Sequence, residues 1–214
     1  MAVINHRFKL CTFDVTNTLL KFQSSVGEQY AEIGKIYGVE RDPNQISKSF
    51  RHHWKIMNTN HPNYGKNTGL SSHEWWKEIV RQTFIVESNE LTTNQLNSIS
   101  GHLYNLYKSD IYCVLKSNGL KPYFDFILAS YLVRAAKPSR EIFDLALNQS
   151  DSIDSSQAVH IGDNVKLDYF AAKHAGWNAL LLTKSNIDNQ CLDQVDPSEI
   201  VNNMEEIEKF VLSS

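Results

Sequence analysis

Residues 8–13, "FKLCTF", form a short apolar run that stops at one acid, Asp14, and reads as a buried strand carrying a carboxylate at its end. The rhythm then becomes helical. In "VGEQYAEIGKIYG" the positions Tyr30, Ile33, Ile36 and Tyr37 recur at helical spacing, and "NQISKSFRHHWKIM", "SSHEWWKEIVRQTF" and "TTNQLNSISGHLYNLY" repeat the pattern. Ser71 or Ser72 can cap the third of these, with Trp75, Trp76, Ile79 and Val80 as its apolar face. The linker "NTNHPNYGKNTG", residues 58–69, holds Pro62, Gly65 and Gly69 and reads as a loop.

From about residue 124 strand and helix alternate: "FDFILAS" (124–130), "AVHIG" and "NALLL" as strands, "SREIFDLALNQ" and "DYFAAKHAG" as helices. Ser139 caps the first of these helices, with Glu141 in its first turn, and Gly176 ends the second. The tail 203–212, "NMEEIEKFVL", reads as a final helix. Such alternation predicts an α/β fold with a parallel sheet, here interrupted after its first strand by a helical insert.

Composition adds bounds rather than chemistry. A chain of 214 residues suits one domain or a core with an inserted lobe, and 42% hydrophobic with 21% charged residues is ordinary for a soluble protein. A net charge of −3 offers no nucleic-acid surface. Cys11, Cys113 and Cys191 are far apart and form no C-x-x-C pair, which fits a reducing compartment. The stretch "MAVINHRFKL" lacks the apolar segment of a leader, and "ALLL" at 179–182 is too short to span a bilayer, so no membrane is expected. The expected location is the cytoplasm, with the nucleus as the alternative; the sequence sets no oligomeric state.

Three patches carry the chemistry: Asp14 with Thr18, Lys137 in "AAKPS", and "HIGDNVKLD" with Asp163 and Asp168. Ligands of open parallel sheets sit beyond the carboxyl ends of the strands, where Asp14 and Asp163 both fall. Two carboxylates at one edge can hold Mg²⁺, which takes oxygen ligands and in turn binds phosphate oxygens. A carboxylate can also attack phosphorus and divide hydrolysis into two easier steps, with Lys137 balancing the charge. Taken singly, each residue has a plainer use: a strand-end Asp as a turn residue, a Lys before Pro as a solvated cation. Their order along the chain is what points to a site.

That order resembles the haloacid dehalogenase-like hydrolase superfamily, whose motifs run D-x-D-x-T, a lysine, then G-D-x-x-x-x-D. The match covers residues 10–20 and 124–182, and "VGEQYAEIGKIYGVE", "HPNYGKNTGLSSHEWWKEIVRQTF" and "PYFDFILAS" resemble one branch of it. The resemblance implies a Rossmann-like core, residues 1–20 and 109–214, with a helical cap over 21–108. It implies a Mg²⁺-dependent phosphatase of a small phosphorylated molecule. Asp14 is then the nucleophile and a metal ligand, the Thr16 main-chain carbonyl and Asp163 are further ligands, and Asp168 completes or orients the shell. Thr18 holds the loop, and Lys137 binds the phosphoryl group and Asp14.

Two departures from the pattern shape the expectation. The family's general acid lies two residues after the nucleophile, where this chain has Thr16; losing such help typically costs about 10²–10⁴-fold. Some phosphoryl-handling members also have Thr there, so Thr16 fits slow turnover as well as none. The family also has a strand ending in a phosphate-binding Ser or Thr between the cap and residues 126–130. A strand and crossover helix need on the order of 20 residues or more, and only "IYCVLKSNGLKPY" is available. That core strand, with the second motif, is expected to be missing; Ser109 and Ser117 are poor substitutes.

Two other functions compete. A dehalogenase-type hydrolase also lacks the acid at the Thr16 position, but such members lack the acid of the last motif that "GDNVKLD" retains. A pseudo-phosphatase or binding protein keeps the fold without turnover. His52, His53, His61, His73, Trp75 and Trp76 could line a pocket but read more simply as insert-core aromatics and loop histidines, and Cys11 as a small core residue.

Overall fold

The computed structural model describes residues 8–85, 91–107, 111–150, 153–183 and 191–212. Residues 1–7, within the stretch read as leaderless, and residues 108–110, including Ser109 and the expected return to the core, lie outside them. In chain order the elements are β1 (Leu10–Phe13), α1 (Val26–Ile36), α2 (Pro43–Asn60), α3 (Ser72–Phe84), α4 (Thr93–Tyr107), α5 (Ile111–Ser117), α6 (Ser130–Val133), α7 (Arg140–Leu147), β2 (Ala158–Gly162), α8 (Ala171–His174), β3 (Asn178–Leu182), β4 (Ile200–Val201) and α9 (Met204–Leu212). No helix among the described residues is long and apolar enough to cross a membrane. The chain divides into two compact units, Met1–Phe22 with Ala135–Ser214, and Gln23–Arg134.

The first unit holds a parallel sheet of order β1-β2-β3-β4. Strands of a parallel sheet are covered on both faces, so they read as nearly continuous apolar runs. β2 is buried at every position and β3 from Ala179 to Leu182. Val159, Ile161, Leu180 and Leu182 share one face and pack with Phe8, Val201 and, from α9, Ile207. By the two-residue alternation, His160 and Gly162 turn to the other face, where the Phe143 ring of α7 meets the His160 ring edge-on, centroids 5.4 Å apart. Cys11 packs against the first cluster, and burial pushes its thiol up.

The second unit is helical. Tyr30, Ile33, Ile46, Val80, Phe84, Ile99 and Leu103 form its larger core, and Met57, Trp75 and Ile79 a smaller one. Reciprocal capping boxes, Ser25 with Glu28 and Ser71 with Glu74, satisfy the first amides of α1 and α3. Of the two candidate caps on α3, Ser71 is therefore the one used. Ile36, expected on the apolar face of α1, is 65% exposed. α2 runs to Asn60, into the expected loop, and the chain then turns through left-handed Asn63, Tyr64 and Gly65. Trp75 is a core residue whose indole N–H donates to the His61 carbonyl at 3.0 Å. His61 and His73 bond or stack within the unit, on Thr68 and Tyr104.

Residues 124–130 are a correction. Phe124 and Ala129 have extended backbones, but the segment joins no strand ladder among the described residues, and Ser130 already begins α6. β-propensity alone does not make a strand; it needs a neighbouring edge. Among the described residues no such edge is present: β1 pairs with β2 alone, and no strand stands between the helical insert and residues 124–130 in the chain. Ser130 and Tyr131 are held instead within the helical unit, where Asn63 Nδ2 donates to the Ser130 carbonyl (3.2 Å) and Lys66 Nζ to that of Tyr131 (2.6 Å). These bonds fall within the helical unit, Gln23–Arg134.

Candidate active site

Every side chain of the site belongs to the sheet-bearing unit. Asp14 is fixed at the carboxyl end of β1 by its own amide, which donates to the Ile161 carbonyl at 2.8 Å and carries the β1–β2 pairing one residue past Phe13. The next residues close a tight turn. The Val15 carbonyl accepts from the Leu19 and Leu20 amides (3.0 and 2.9 Å), and left-handed Asn17 donates to the Leu20 carbonyl at 2.7 Å. Thr16 pairs with Leu20 as an isolated bridge. The turn buries Thr18 completely and aims its hydroxyl at Asp163 Oδ1, 3.4 Å away.

Asp163 directly follows β2, and Asp168 comes five residues later on a helical turn, Val165–Phe170, that is wider than an α-helix. Asn164 opens that turn: its Oδ1 accepts from the Lys166 and Leu167 amides (3.0 and 2.9 Å). Its own amide donates to Asp168 Oδ2 at 2.9 Å. Asp168 lies against Gly162, where a Cβ would fall 2.2 Å from the Asp168 Cγ. Lys137, preceding α7, donates to Asp14 Oδ1 at 2.6 Å and also to Asp168 Oδ1. One oxygen from each of Asp14, Asp163 and Asp168 lies within 4.8 Å of the others.

All the side chains named from the sequence thus meet, apart from Thr16, which lies on the adjoining turn. Sequence reasoning missed His160, Thr12, Asn164 and Gly162. His160 is 5% exposed, bonded through Nδ1 to Thr12 Oγ1 (2.8 Å) and through Nε2 to Asp168 Oδ1 (3.2 Å). The available signal was one polar residue in the middle of the apolar run "AVHIG".

Burial, then the negative charges of Asp168 and Asp14, push the Asp163 carboxyl above the usual range. Burial alone would lower Lys137, but Asp168 and Asp14 more than offset it and hold the ammonium above its ordinary value. For Asp168 burial acts upward, yet the His160 hydrogen bond and the Lys137 charge bring its carboxyl down to about 2. Burial also holds His160 below its usual value, so its contact with Asp168 is a hydrogen bond from a neutral ring, not an ion pair. One ammonium against three carboxylates leaves the cluster with a surplus of negative charge. A cluster so charged, all oxygen donors, suits a hard divalent cation.

A family model described as haloacid dehalogenase-like hydrolase matches residues 107–176. The rhythmically expressed gene 2 protein of Drosophila melanogaster is 34% identical over 82% of this chain and 83% of its own. Haloacid dehalogenase-like hydrolase domain-containing protein 3 of Danio rerio is 30% identical over 91% of this chain and 93% of its own. The chain belongs to the haloacid dehalogenase-like hydrolase family.

Solved structures of this family share the fold. A 2-haloacid dehalogenase from Pseudomonas syringae aligns with a TM-score of 0.57 at 15% identity, covering 94% of this chain and 97% of its own. A haloacid dehalogenase-like phosphatase from Thermococcus onnurineus aligns at 0.52 and 15%, covering 95% and 97%. At such identities the likeness is one of fold. Against the family's motif pattern, the structure departs where the sequence does. Two residues after Asp14 the chain carries Thr16 and not an acid, and no strand on the far side of β1 brings a Ser or Thr to the cluster among the described residues.

The depressed Asp168 carboxyl has a consequence in acid. An acid held below its ordinary value of 3.8 contributes stability that is present above that value and lost as pH falls through about 2. At 2% exposure little solvent screening applies, and the contribution is roughly 2 kcal/mol. Asp163, raised, acts oppositely: its ionised form costs stability, which protonation restores as pH falls. Denaturant titrations between pH 5 and pH 2 are expected to show a shallower loss of stability in Asp168→Asn than in the parent chain; equal slopes contradict the assignment.

Proposed function

We propose that this chain is a slow Mg²⁺-dependent phosphatase acting on a small phosphorylated molecule through an aspartyl-phosphate on Asp14. The observation that carries this reading is the convergence of Asp14, Asp163 and Asp168, with Lys137 bonded to both Asp14 and Asp168. The donor set fits Mg²⁺: Asp14, Asp163 and the Thr16 main-chain carbonyl would hold it. Asp168, whose oxygens already accept from Lys137, His160 and Asn164, would orient the shell. Bound there, Mg²⁺ supplies positive charge to phosphoryl oxygens.

The residues of the chain do the rest. Lys137 holds Asp14 Oδ1, so attack on phosphorus falls to Oδ2; the new O–P bond forms as the ester O–P bond breaks, and the alcohol leaves with a proton from solvent. Water then attacks the phosphorus of the aspartyl-phosphate, releasing phosphate and restoring the carboxylate. Thr18 steadies Asp163 through its hydroxyl. Thr16 supplies no acid or base to either step, which makes both slow.

Retention of Asp163 and Asp168 disfavours the dehalogenase reading. The reading as a binding protein without turnover draws support from one observation, the lack of a strand outside β1 among the described residues. Thermal denaturation with and without millimolar Mg²⁺ tests the metal site. A ligand that binds the native state alone stabilises by about 2.7 kcal/mol at a hundred times its Kd. The expected result is a raised midpoint in the parent chain and none in Asp163→Ala. Release of p-nitrophenol from p-nitrophenyl phosphate, lost with EDTA, separates the phosphatase from the binding protein.

A further inference from the structure

Within the phosphatase reading, we infer that His160 is a positioning residue: anchored by Thr12, its imidazole fixes the Asp168 oxygen that holds Lys137 against Asp14. The parallel register sets Thr12 of β1 directly opposite His160 of β2. Thr12 Oγ1 and His160 Nδ1 lie 2.8 Å apart, and His160 Nε2 lies 3.2 Å from Asp168 Oδ1. A carboxylate accepts only, so Nε2 carries the hydrogen and donates to Asp168. Nδ1 of the neutral ring then accepts from the threonine hydroxyl. The bond Thr12 makes therefore selects the tautomer that can serve Asp168.

The imidazole has little freedom. It is 5% exposed, and Phe143 stands edge-on to it, the two ring planes 87° apart. Asp168 is gripped at both oxygens: Oδ2 by the Asn164 amide, Oδ1 by His160 and Lys137 together. A carboxylate held at both ends cannot rotate about its last bond, so its Oδ1 is a fixed anchor for the far end of a long, flexible lysine. The same ammonium reaches Asp14 Oδ1 at 2.6 Å. Without the His160 donor, Oδ1 keeps only the lysine it is meant to anchor, and the position of the nucleophile loosens with it. Partners one step removed from a reacting group commonly change activity by about 10–100-fold.

The test uses the full chain carrying His160→Leu, His160→Gln or Thr12→Val. Gln keeps an N–H donor near the place of Nε2; Leu removes it; Val removes the hydroxyl that selects the tautomer. The readout independent of turnover is the rate at which an N-hydroxysuccinimide ester acylates the Lys137 amine, followed by mass spectrometry. A Lys137 whose Asp168 anchor can turn spends more time away from its two carboxylates and open to the reagent, so His160→Leu is expected to raise that rate several-fold, Thr12→Val less, and His160→Gln to stay near the parent. In steady-state assays with p-nitrophenyl phosphate, His160→Leu is expected to lower kcat by about 10–100-fold with little change in KM, and His160→Gln to recover most of it. A folded His160→Leu with unchanged Lys137 acylation overturns the assignment. If His160→Leu does not fold, Thr12→Val decides: raised acylation supports the assignment and an unchanged rate overturns it. A parent chain that never turns over substrate overturns the phosphatase reading alone, because the acylation result stands without it.

Discussion

Thr16→Asp is expected to raise turnover of p-nitrophenyl phosphate by about 10²–10⁴-fold, the range that general acid–base catalysis supplies. This leaving group needs little protonation, so Asp14 can be phosphorylated in the parent chain. Hydrolysis of the aspartyl-phosphate, which needs a base for water, is then the slow step. Thr16 lies two residues beyond Asp14 on a turn pinned through Val15, Asn17 and Leu20, so a carboxylate there starts from a fixed backbone. Adding Asp14→Asn must abolish the gain, because the aspartyl-phosphate hydrolysed in the second step is the one that the Asp14 carboxylate forms in the first. If Thr16→Asp folds, binds Mg²⁺ and still shows no turnover, the chain is a binding protein. The lack, among the described residues, of a phosphate-holding strand outside β1 is then the reason, since a base cannot help a substrate that is not held.

Gly162→Ala is expected to lower stability by about 3–5 kcal/mol, the cost of breaking a buried ion pair from one side. The added methyl would sit 2.3 Å from Asp168 Oδ2 and 2.5 Å from its Cβ, so the whole side chain must move and not only its tip. It cannot move and keep its three donors, Asn164, His160 and Lys137. Lys137 then retains Asp14 alone, and activity falls together with stability. For a chain of this size each kcal/mol lowers the midpoint by roughly 2–4 °C, well within reach of a thermal scan of the sheet-bearing unit. A midpoint equal to that of the parent chain would show that Asp168 is not gripped as described.

The parts of the fold that local chemistry dictates were legible in the sequence. β1, β2 and β3 announced themselves as apolar runs, and Ser139 and Gly176 marked helix ends that the structure bears out. Asp14 and Asp163 could be named because each directly follows an apolar strand and so falls at one sheet edge, and Lys137 and Asp168 because their order along the chain resembles the family's motifs. Residues 124–130 misled for the converse reason: Phe, Ile and Leu favour a strand, but pairing is a property of the neighbour, and none is present among the described residues. β4, Ile200–Val201, is two residues long and leaves no pattern to read. His160 and Thr12 escaped notice because a strand buried on both faces hides which face a residue takes. Only the register with β1 sets the two side by side.

That same register has a kinetic side. Thr12 and His160 are 148 residues apart in the chain, and the helical unit lies between them. Closing a flexible loop of that length costs little more than closing one half as long, only about 0.6 kcal/mol per doubling. The delay is in order of events, since contacts between nearby residues form before distant ones. On a ribosome the helices of the insert are complete before β2 has been synthesised, and β1 has no strand to pair with until "AVHIG" emerges. The acidic cluster is thus completed only in the last third of synthesis. A chain that stops before residue 163 lacks Asp163 and Asp168 and cannot assemble the acidic cluster.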